Sequence, residues 1–225
     1  ISSNVYKIIR NCQLQGGLAI ACGDAGIGKT HACRQYYREH GTNCIYITVN
    51  PCIKSSKSVL ELIGSKLNVS SGSVSRLWLE ISSKLSDGMV IIVDEAQHLT
   101  RNAIDTLRSL CDCFDEKGQT LGICFVGNET TVSRLGGKQK AEFAQIRNRT
   151  KNTRFYSVKQ IKKSDIEMLF PDIREDTTAV EFLLCIAQSP QAIRGAVNLY
   201  SNALDNGNVT AKGLSAIAKY MDMAV

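Results

Sequence analysis

Eight consecutive residues near the start of the chain have the types and spacing of a phosphate-binding loop. They read GDAGIGKT and match the pattern G-x-x-x-x-G-K-[ST] at every fixed position. Glycines let the backbone N–H groups turn inward and form an anion-binding nest at a helix start. In such a loop the lysine reaches the β- and γ-phosphates, and the hydroxyl ligates Mg²⁺. The pattern predicts ATP and Mg²⁺ binding by Gly23, Asp24, Ala25, Gly26, Ile27, Gly28, Lys29, Thr30 and the adjoining His31.

Two adjacent acids supply the metal side of such a site. Asp94 and Glu95 follow an apolar run in VIIVDEAQHL. We expect Asp94 to hold Mg²⁺ through water, and Glu95 to orient and deprotonate the attacking water. Two acids at a helix start are also a common, charge-compatible cap. The phosphate-binding loop upstream favours the catalytic interpretation.

Strands and helices alternate through the first part of the chain. Five strand-like runs are separated by helical segments, and they lie at residues 16–23, 43–50, 88–96, 121–129 and 153–159. Continuous apolar strands that alternate with helices indicate a parallel sheet covered on both faces. After about residue 160 the remaining segments all have helical patterns. We therefore predict an α/β domain with a five-stranded parallel sheet over residues 1–160, followed by a small all-helical subdomain over 161–225.

Composition narrows the class of protein. The 225 residues are 44% hydrophobic, which is enough for a sizeable core. No apolar run approaches the roughly 20 residues of a membrane helix, and the start has no signal-peptide pattern. We therefore expect no membrane partner. Nine cysteines without a Cys-x-x-Cys pair favour free, buried thiols in a reducing bacterial cytoplasm, with a zinc site as the alternative.

Positive charge is concentrated in one stretch. The chain carries a net charge of +6, and residues 134–163 contain ten Lys or Arg against the single acid Glu142. A solvated basic face is one interpretation. A surface that meets phosphates, of DNA or of a neighbour's nucleotide, is the other.

Together the motifs resemble the AAA+ ATPases, and within them the branch that contains the phage Mu B transposition protein, TnsC, TniB and the ExeA-type ATPases. The resemblance covers essentially the whole chain. The segments that carry it are, in order, GDAGIGKT, VIIVDEAQHL, ICFVGNE, QIRNRT and SPQAIRGAVN. It implies a P-loop AAA+ domain followed by a helical lid subdomain.

The resemblance also implies roles for four further residues. Asn128 matches the sensor that polarises the water or reads the γ-phosphate, although an Asn after a glycine is also a common turn former. Arg147 and Arg149 match the position of an arginine finger that reaches the next subunit's nucleotide. Arg194 matches the second sensor, with an ordinary exposed helix arginine as the alternative. A finger acting in trans implies a head-to-tail homo-oligomer, either a ring or a helical filament.

In this branch the assembly holds duplex DNA through its backbone, and the matching region follows the second strand. Its candidate residues are basic or carry hydroxyls, and they are Lys54, Lys57, Ser71, Ser73 and Arg76. Lysines and serines at loop tips and helix starts suit phosphate contacts, which position a protein without reading sequence. A polar surface loop with helix caps is the alternative.

The resemblance therefore implies an ATP-dependent, non-sequence-specific DNA-binding ATPase. It would oligomerise on target DNA and direct or activate a transposase, with hydrolysis driving disassembly. One alternative is an ExeA-type ATPase of secretion or envelope assembly. The other is a nucleotide-gated adaptor that binds ATP without turnover and does not bind DNA. The intact Lys29, Asp94 and Glu95 argue against such an adaptor.

Overall fold

The computed structural model describes residues 1–131 and 150–223. The chain divides into two compact units. The sheet unit comprises Ser2–Gly23 and Lys29–Phe155, and the helical unit comprises Ile1, Asp24–Gly28 and Tyr156–Val225. The residues of the phosphate-binding loop are therefore assigned to both units. Its middle five residues, Asp24–Gly28, belong to the helical unit, and its ends belong to the sheet unit.

After an additional first helix, the described elements up to the fifth strand come in the order that the pattern predicts. In chain order they are α1 (Ser2–Gln15), β1 (Gly17–Gly23), α2 (Lys29–His40), β2 (Cys44–Thr48), α3 (Ser56–Lys66), α4 (Val74–Lys84), β3 (Met89–Asp94), α5 (Arg101–Asp115), β4 (Leu121–Gly127) and β5 (Thr150–Tyr156). The strands form one sheet in the order β2-β3-β4-β1-β5. The β2–β3, β3–β4 and β1–β4 pairs are parallel. The predicted five-stranded parallel sheet is confirmed.

Burial explains why the central strands are continuous apolar runs. Every residue of β3 and β4 is buried, as are all but the first residue of β1. A parallel strand with helices on both faces has no solvent side, so it has no polar alternation. The strand β5 differs from the expectation of apolar strands throughout. Among its residues only Tyr156 is buried, because β5 is at the edge of the sheet.

The helix α1 was not among the predicted elements. Its buried residues are Val5, Ile8, Ile9 and Cys12, which recur at helical spacing. This one-sided apolar stripe is the signal that could have identified the helix. Its packing is close, because a Cβ added at Gly122 of β4 would overlap the carbonyl oxygen of Cys12 and lie 2.8 Å from its carbonyl carbon.

We expect Gly122→Ala to lower the free energy of unfolding by about 1–3 kcal/mol, the usual cost of overpacking. The added methyl group meets helix backbone, which cannot rotate away, so α1 must move from the sheet. Urea unfolding of the purified chain measures the change. Gly72→Ala is the control, since its Cβ meets only the flexible side chain of Arg76. Equal stability of Gly122→Ala and wild type would contradict the close packing of α1.

The helical unit contains four α-helices among its described residues. They are α6 (Lys163–Leu169), α7 (Thr177–Gln188), α8 (Ala192–Asp205) and α9 (Ala211–Tyr220). Side chains of Asp176 and Thr210 cap the starts of α7 and α9. The unit has its own apolar core, which includes Leu183, Leu199 and Leu214. The predicted helical region after the sheet is confirmed.

All nine cysteines are free thiols, and their exposure differs sharply. Six are buried, Cys113 is half-buried, and only Cys52 and Cys185 are exposed. Burial raises the pKa of Cys22 to about 11 and that of Cys12 to about 12. Across residues 1–131 and 150–223, no three His, Cys, Asp or Glu side chains are grouped as a metal site.

None of the helices in the described part of the chain has the length and apolar character required to cross a membrane.

Candidate nucleotide-binding site

The middle of the phosphate-binding loop is fixed by contacts within the helical unit. Gly26 and Gly28 have φ angles of +74° and +95°, in the left-handed region that favours glycine. The Asp24 carboxylate accepts a hydrogen bond from the Val158 N–H at 2.8 Å, and the Asp24 N–H donates to the Tyr156 carbonyl at 3.0 Å. Asp24 thus anchors the loop, while the glycines supply the left-handed backbone that an anion nest requires.

Arg194 lies beside this loop in the same unit. Its N–H donates to the carbonyl of Gly26 at 3.2 Å, and its side chain is exposed. A Cβ at Gly26 would lie 3.1 Å from the Ala192 Cβ and 3.3 Å from the Arg194 Cβ, so only glycine fits without displacement. The structure therefore brings Arg194 next to the predicted phosphate loop. Its role as a second sensor stays a prediction.

Lys29 and Thr30 begin α2 in the sheet unit. The Lys29 Nζ donates to the carbonyl of Gly23 at 2.8 Å. The Thr30 side chain hydrogen-bonds to the Asp94 carboxylate. The start of α2 therefore positions the predicted lysine and hydroxyl, and the end of β3 positions the predicted acid. His31 follows on α2 and is exposed.

Asp94 ends β3 and is 2% exposed. Its Oδ2 accepts a hydrogen bond from the Tyr46 hydroxyl at 3.0 Å, and its Oδ1 accepts one from the Glu95 N–H at 3.0 Å. Burial raises the pKa of Asp94, and the hydrogen bonds from Thr30 and Tyr46 oppose that rise. A buried carboxylate is costly to ionise without a cation, and the carboxylate of Asp94 and the hydroxyl of Thr30 supply the oxygen ligands that Mg²⁺ prefers. These residues fit a magnesium site.

Tyr46 is a site residue that the motif analysis missed. It lies on β2, and Thr48 donates its hydroxyl proton to the Tyr46 oxygen at 3.2 Å. The register pairs Thr48 with Asp94, which brings the polar end of β2 beside the acid. The alternation of polar Tyr46 and Thr48 with apolar residues was the available signal. It pointed to Asp94 only once β2 was known to neighbour β3.

Glu95 has a left-handed backbone, with φ 59° and ψ 32°. The Nε2 of Gln97 donates to the Glu95 carboxylate. The Oε1 of the same Gln97 accepts the N–H of Asn128 at 3.3 Å. The structure therefore brings Glu95 and Asn128 together through one intervening side chain.

The Asn128 side chain has local partners. Its Oδ1 accepts the Thr130 N–H at 3.0 Å and the Thr130 hydroxyl at 2.6 Å. This is the turn-forming arrangement that the sequence allowed as the alternative to a sensor. Asn128 directly follows β4, and its N–H donates to Gln97, which also contacts Glu95. The sensor role stays a prediction, and Arg147 and Arg149 lie outside the described residues.

The five candidate DNA contacts are all exposed. Lys54 and Lys57 flank Ser55, which caps α3, and Ser73 caps α4 with its side chain accepting the Arg76 N–H. The structure therefore supports the capping function that the sequence allowed for this region. DNA contact by these residues stays a prediction.

Two acids accompany these groups. Glu61 accepts the Ser71 hydroxyl at 2.6 Å and lies 3.9 Å from the Lys57 Nζ. Glu80 accepts the Arg76 Nε at 2.6 Å. Such exposed pairs contribute little to stability and open readily, so they leave the cations available to another anion.

Residues 12–135, more than half of the chain, match the protein family described as the AAA domain. The chain belongs to this family. It is 29% identical over 217 residues to the ATP-dependent target DNA activator B of Escherichia phage Mu, covering 93% of this chain and 65% of that protein. It is 28% identical over 210 residues to the Mu-like prophage FluMu DNA transposition protein B of Haemophilus influenzae, covering 89% and 69%. The resemblance to the phage Mu B branch is confirmed.

Solved structures agree on the fold. The ORC2 protein of Aeropyrum pernix aligns with a TM-score of 0.65 at 14% identity, covering 97% of this chain and 66% of that one. At this identity the likeness shows the AAA+ fold alone. The chain spans 65% of the length of the phage Mu relative, which is less than two thirds.

Proposed function

We propose that this AAA domain binds Mg²⁺-ATP and hydrolyses it, with residues 1–160 forming the ATPase subdomain and 161–225 the lid. The observation that carries the proposal is the arrangement of Asp94. It is buried at the end of β3, is hydrogen-bonded to Thr30 of the phosphate-binding motif, and is followed directly by a second acid. The names of the ATP-dependent relatives support the same reaction.

Each residue of the site has a distinct task in this proposal. The N–H groups of the loop that contains Gly26 and Gly28 receive the phosphates, and the Lys29 ammonium neutralises their charge. Thr30 and Asp94 hold Mg²⁺, which when bound neutralises phosphate charge. Glu95 accepts the proton of the attacking water.

Four predicted residues complete the proposal. Asn128 orients the water, and Arg194 reads the γ-phosphate from the lid. Arg147 or Arg149 serves as the arginine finger of a neighbouring subunit, so efficient hydrolysis requires a ring or filament of this chain.

We further propose that the assembled chain binds duplex DNA through its backbone and directs or activates a transposase in the bacterial cytoplasm. The support comes first from the names of the three phage and prophage relatives. It comes also from the exposed cations and helix starts between Lys54 and Arg76, here called the α3–α4 region. Helix N-termini and lysines bind phosphate oxygens without base contacts, which suits a protein that covers DNA of any sequence.

The test is ATPase activity with and without random-sequence duplex DNA, alongside negative-stain imaging of the ATP-loaded mixture. We expect hydrolysis to be stimulated by DNA, and rings or filaments to lie along the duplex. Hydrolysis that is indifferent to DNA, without assembly on it, would overturn the DNA and transposition part and leave the nucleotide chemistry standing. The absence of any hydrolysis would overturn the ATPase itself.

Reversing one charge in the α3–α4 region tests the DNA contact directly. We expect Lys57→Glu to weaken duplex binding and to reduce the slope of log affinity against log salt by about 1, because each phosphate contact releases about one counterion. Fluorescence anisotropy at several salt concentrations measures both quantities.

Lys66→Glu is the matched control for this variant. It makes the same charge change at the other end of α3, and both lysines are exposed. Equal loss of binding in the two variants would show that only net charge matters. No loss in Lys57→Glu would remove Lys57 from the contact.

A further inference from the structure

The side chain of Gln97 bridges two of the proposed site residues, Glu95 and Asn128. The sequence motifs assign no role to Gln97 itself. Its carboxamide has one donor end and one acceptor end. The Nε2 donates to the Glu95 carboxylate, and the Oε1 accepts the Asn128 N–H at 3.3 Å. A carboxylate only accepts hydrogen bonds and a backbone N–H only donates one, so the two partners fix the orientation of the amide.

The Oε1 of Gln97, its acceptor atom, is closely surrounded by neighbouring residues. The Thr131 hydroxyl, which is fully buried, donates to the same Oε1 at 3.5 Å. A Cβ at Gly127 would overlap both that oxygen and the Thr131 hydroxyl oxygen, so a side chain at the end of β4 would push the amide away. Gly127 is therefore the residue whose smallness lets the amide reach the Asn128 N–H.

Glu95 itself needs such support. Its left-handed backbone is unusual for a residue with a side chain, and this costly conformation persists only where the surrounding contacts hold it. The Ala96–His98 turn that follows places Gln97 back against the carboxylate, with the His98 N–H donating to the Glu95 carbonyl at 3.0 Å. The Gln97 side chain thus contacts the Glu95 carboxylate and connects it to the residue that follows β4.

We infer that Gln97 is a positioning residue that holds the Glu95 carboxylate at a fixed position relative to Asn128. Glu95, the base, and Asn128, the sensor, then move together. The inference rests on the proposed ATPase function. Gln97 contacts no reacting group in this role, and it acts by fixing where the Glu95 oxygens lie relative to β4. It should therefore affect turnover much more than nucleotide binding.

The experiment compares two variants that keep the length of the side chain. Gln97→Glu keeps an acceptor for Asn128 but turns the donor toward Glu95 into an acceptor, and Gln97→Met removes both bonds. We expect each to lower kcat roughly 10- to 100-fold, the usual effect of losing hydrogen bonds to a charged group. KM and the affinity for a non-hydrolysable ATP analogue should change less than about threefold, and the midpoint of thermal unfolding should stay near that of wild type.

The matched control uses a second glutamine that donates to a glutamate. Gln35 of α2 donates its Nε2 to the Glu39 Oε1 at 3.0 Å, away from the site residues. We expect Gln35→Glu and Gln35→Met to retain wild-type kcat. Gln97 variants that keep kcat within twofold of wild type, or that lose analogue binding in proportion to kcat, would overturn the positioning role alone. A wild-type chain without hydrolysis would overturn both this role and the proposed ATPase.

Discussion

Glu95→Gln should abolish turnover while leaving ATP bound, with kcat lowered roughly 100- to 1000-fold. The change is isosteric, so the strand end, the left-handed backbone and the adjacent Asp94 are kept. What disappears is the group that accepts the proton of the attacking water. The phosphate loop and the magnesium-side residues are untouched, so the affinity for Mg²⁺-ATP should stay within a few-fold of wild type. Steady-state hydrolysis and calorimetric titration with ATP measure the two quantities separately.

Glu116→Gln provides the control for this variant, because it makes the same change at an exposed acid at the end of α5. Its kcat should equal that of wild type. If Glu95→Gln hydrolyses ATP at more than about a tenth of the wild-type rate, Glu95 is not the general base. If hydrolysis drives disassembly, the same variant should also stay assembled on duplex DNA for longer than wild type.

Lys29→Ala should remove ATP binding itself, with affinity weakened roughly 100-fold or more. The ammonium is the one side-chain cation of the GDAGIGKT motif, and it lies at the first residue of α2, beside the Gly23 carbonyl. Alanine is the best helix former, so the start of α2 should persist and the loss should be one of charge. Calorimetric titration with Mg²⁺-ATP gives the affinity, and far-ultraviolet circular dichroism checks the fold.

A second lysine separates this effect from the loss of any positive charge. Lys66→Ala removes an exposed lysine from the last turn of α3 and should bind ATP as wild type does. Wild-type affinity in Lys29→Ala would show that the phosphates bind somewhere other than this loop. Because Lys29→Ala tests binding and Glu95→Gln tests chemistry, the pair distinguishes a nucleotide-gated adaptor from an ATPase.

Features that depend on residues close together in the sequence could be predicted, whereas contacts between distant parts of the sequence could not. The strand β1, the loop and α2 are contiguous, so fixed spacing was enough to predict a phosphate-binding turn there. The strand β3 ending in Asp94 was equally readable, because a fully buried parallel strand is a continuous apolar run. The helix α1 carried the same kind of local signal in its buried stripe.

The contacts that complete the site are long-range, and one sequence does not reveal them. The hydroxyl of Tyr46 reaches Asp94 only because β2 neighbours β3 in the sheet. Gln97 reaches the Asn128 N–H only because β4 lies beside β3. Strand order depends on how the whole chain packs, so a motif can predict an acid at a strand end without predicting what surrounds it.

The uneven exposure of the cysteines makes the natural chain suitable for spectroscopic labelling. Thiol-directed dyes react with the thiolate, so the buried thiols with raised pKa values are poor targets at neutral pH. Cys52 belongs to the sheet unit and Cys185 to the helical unit, and both are exposed. Each unit therefore carries its own attachment point for a fluorophore, and each can be labelled without first removing the cysteines of the core.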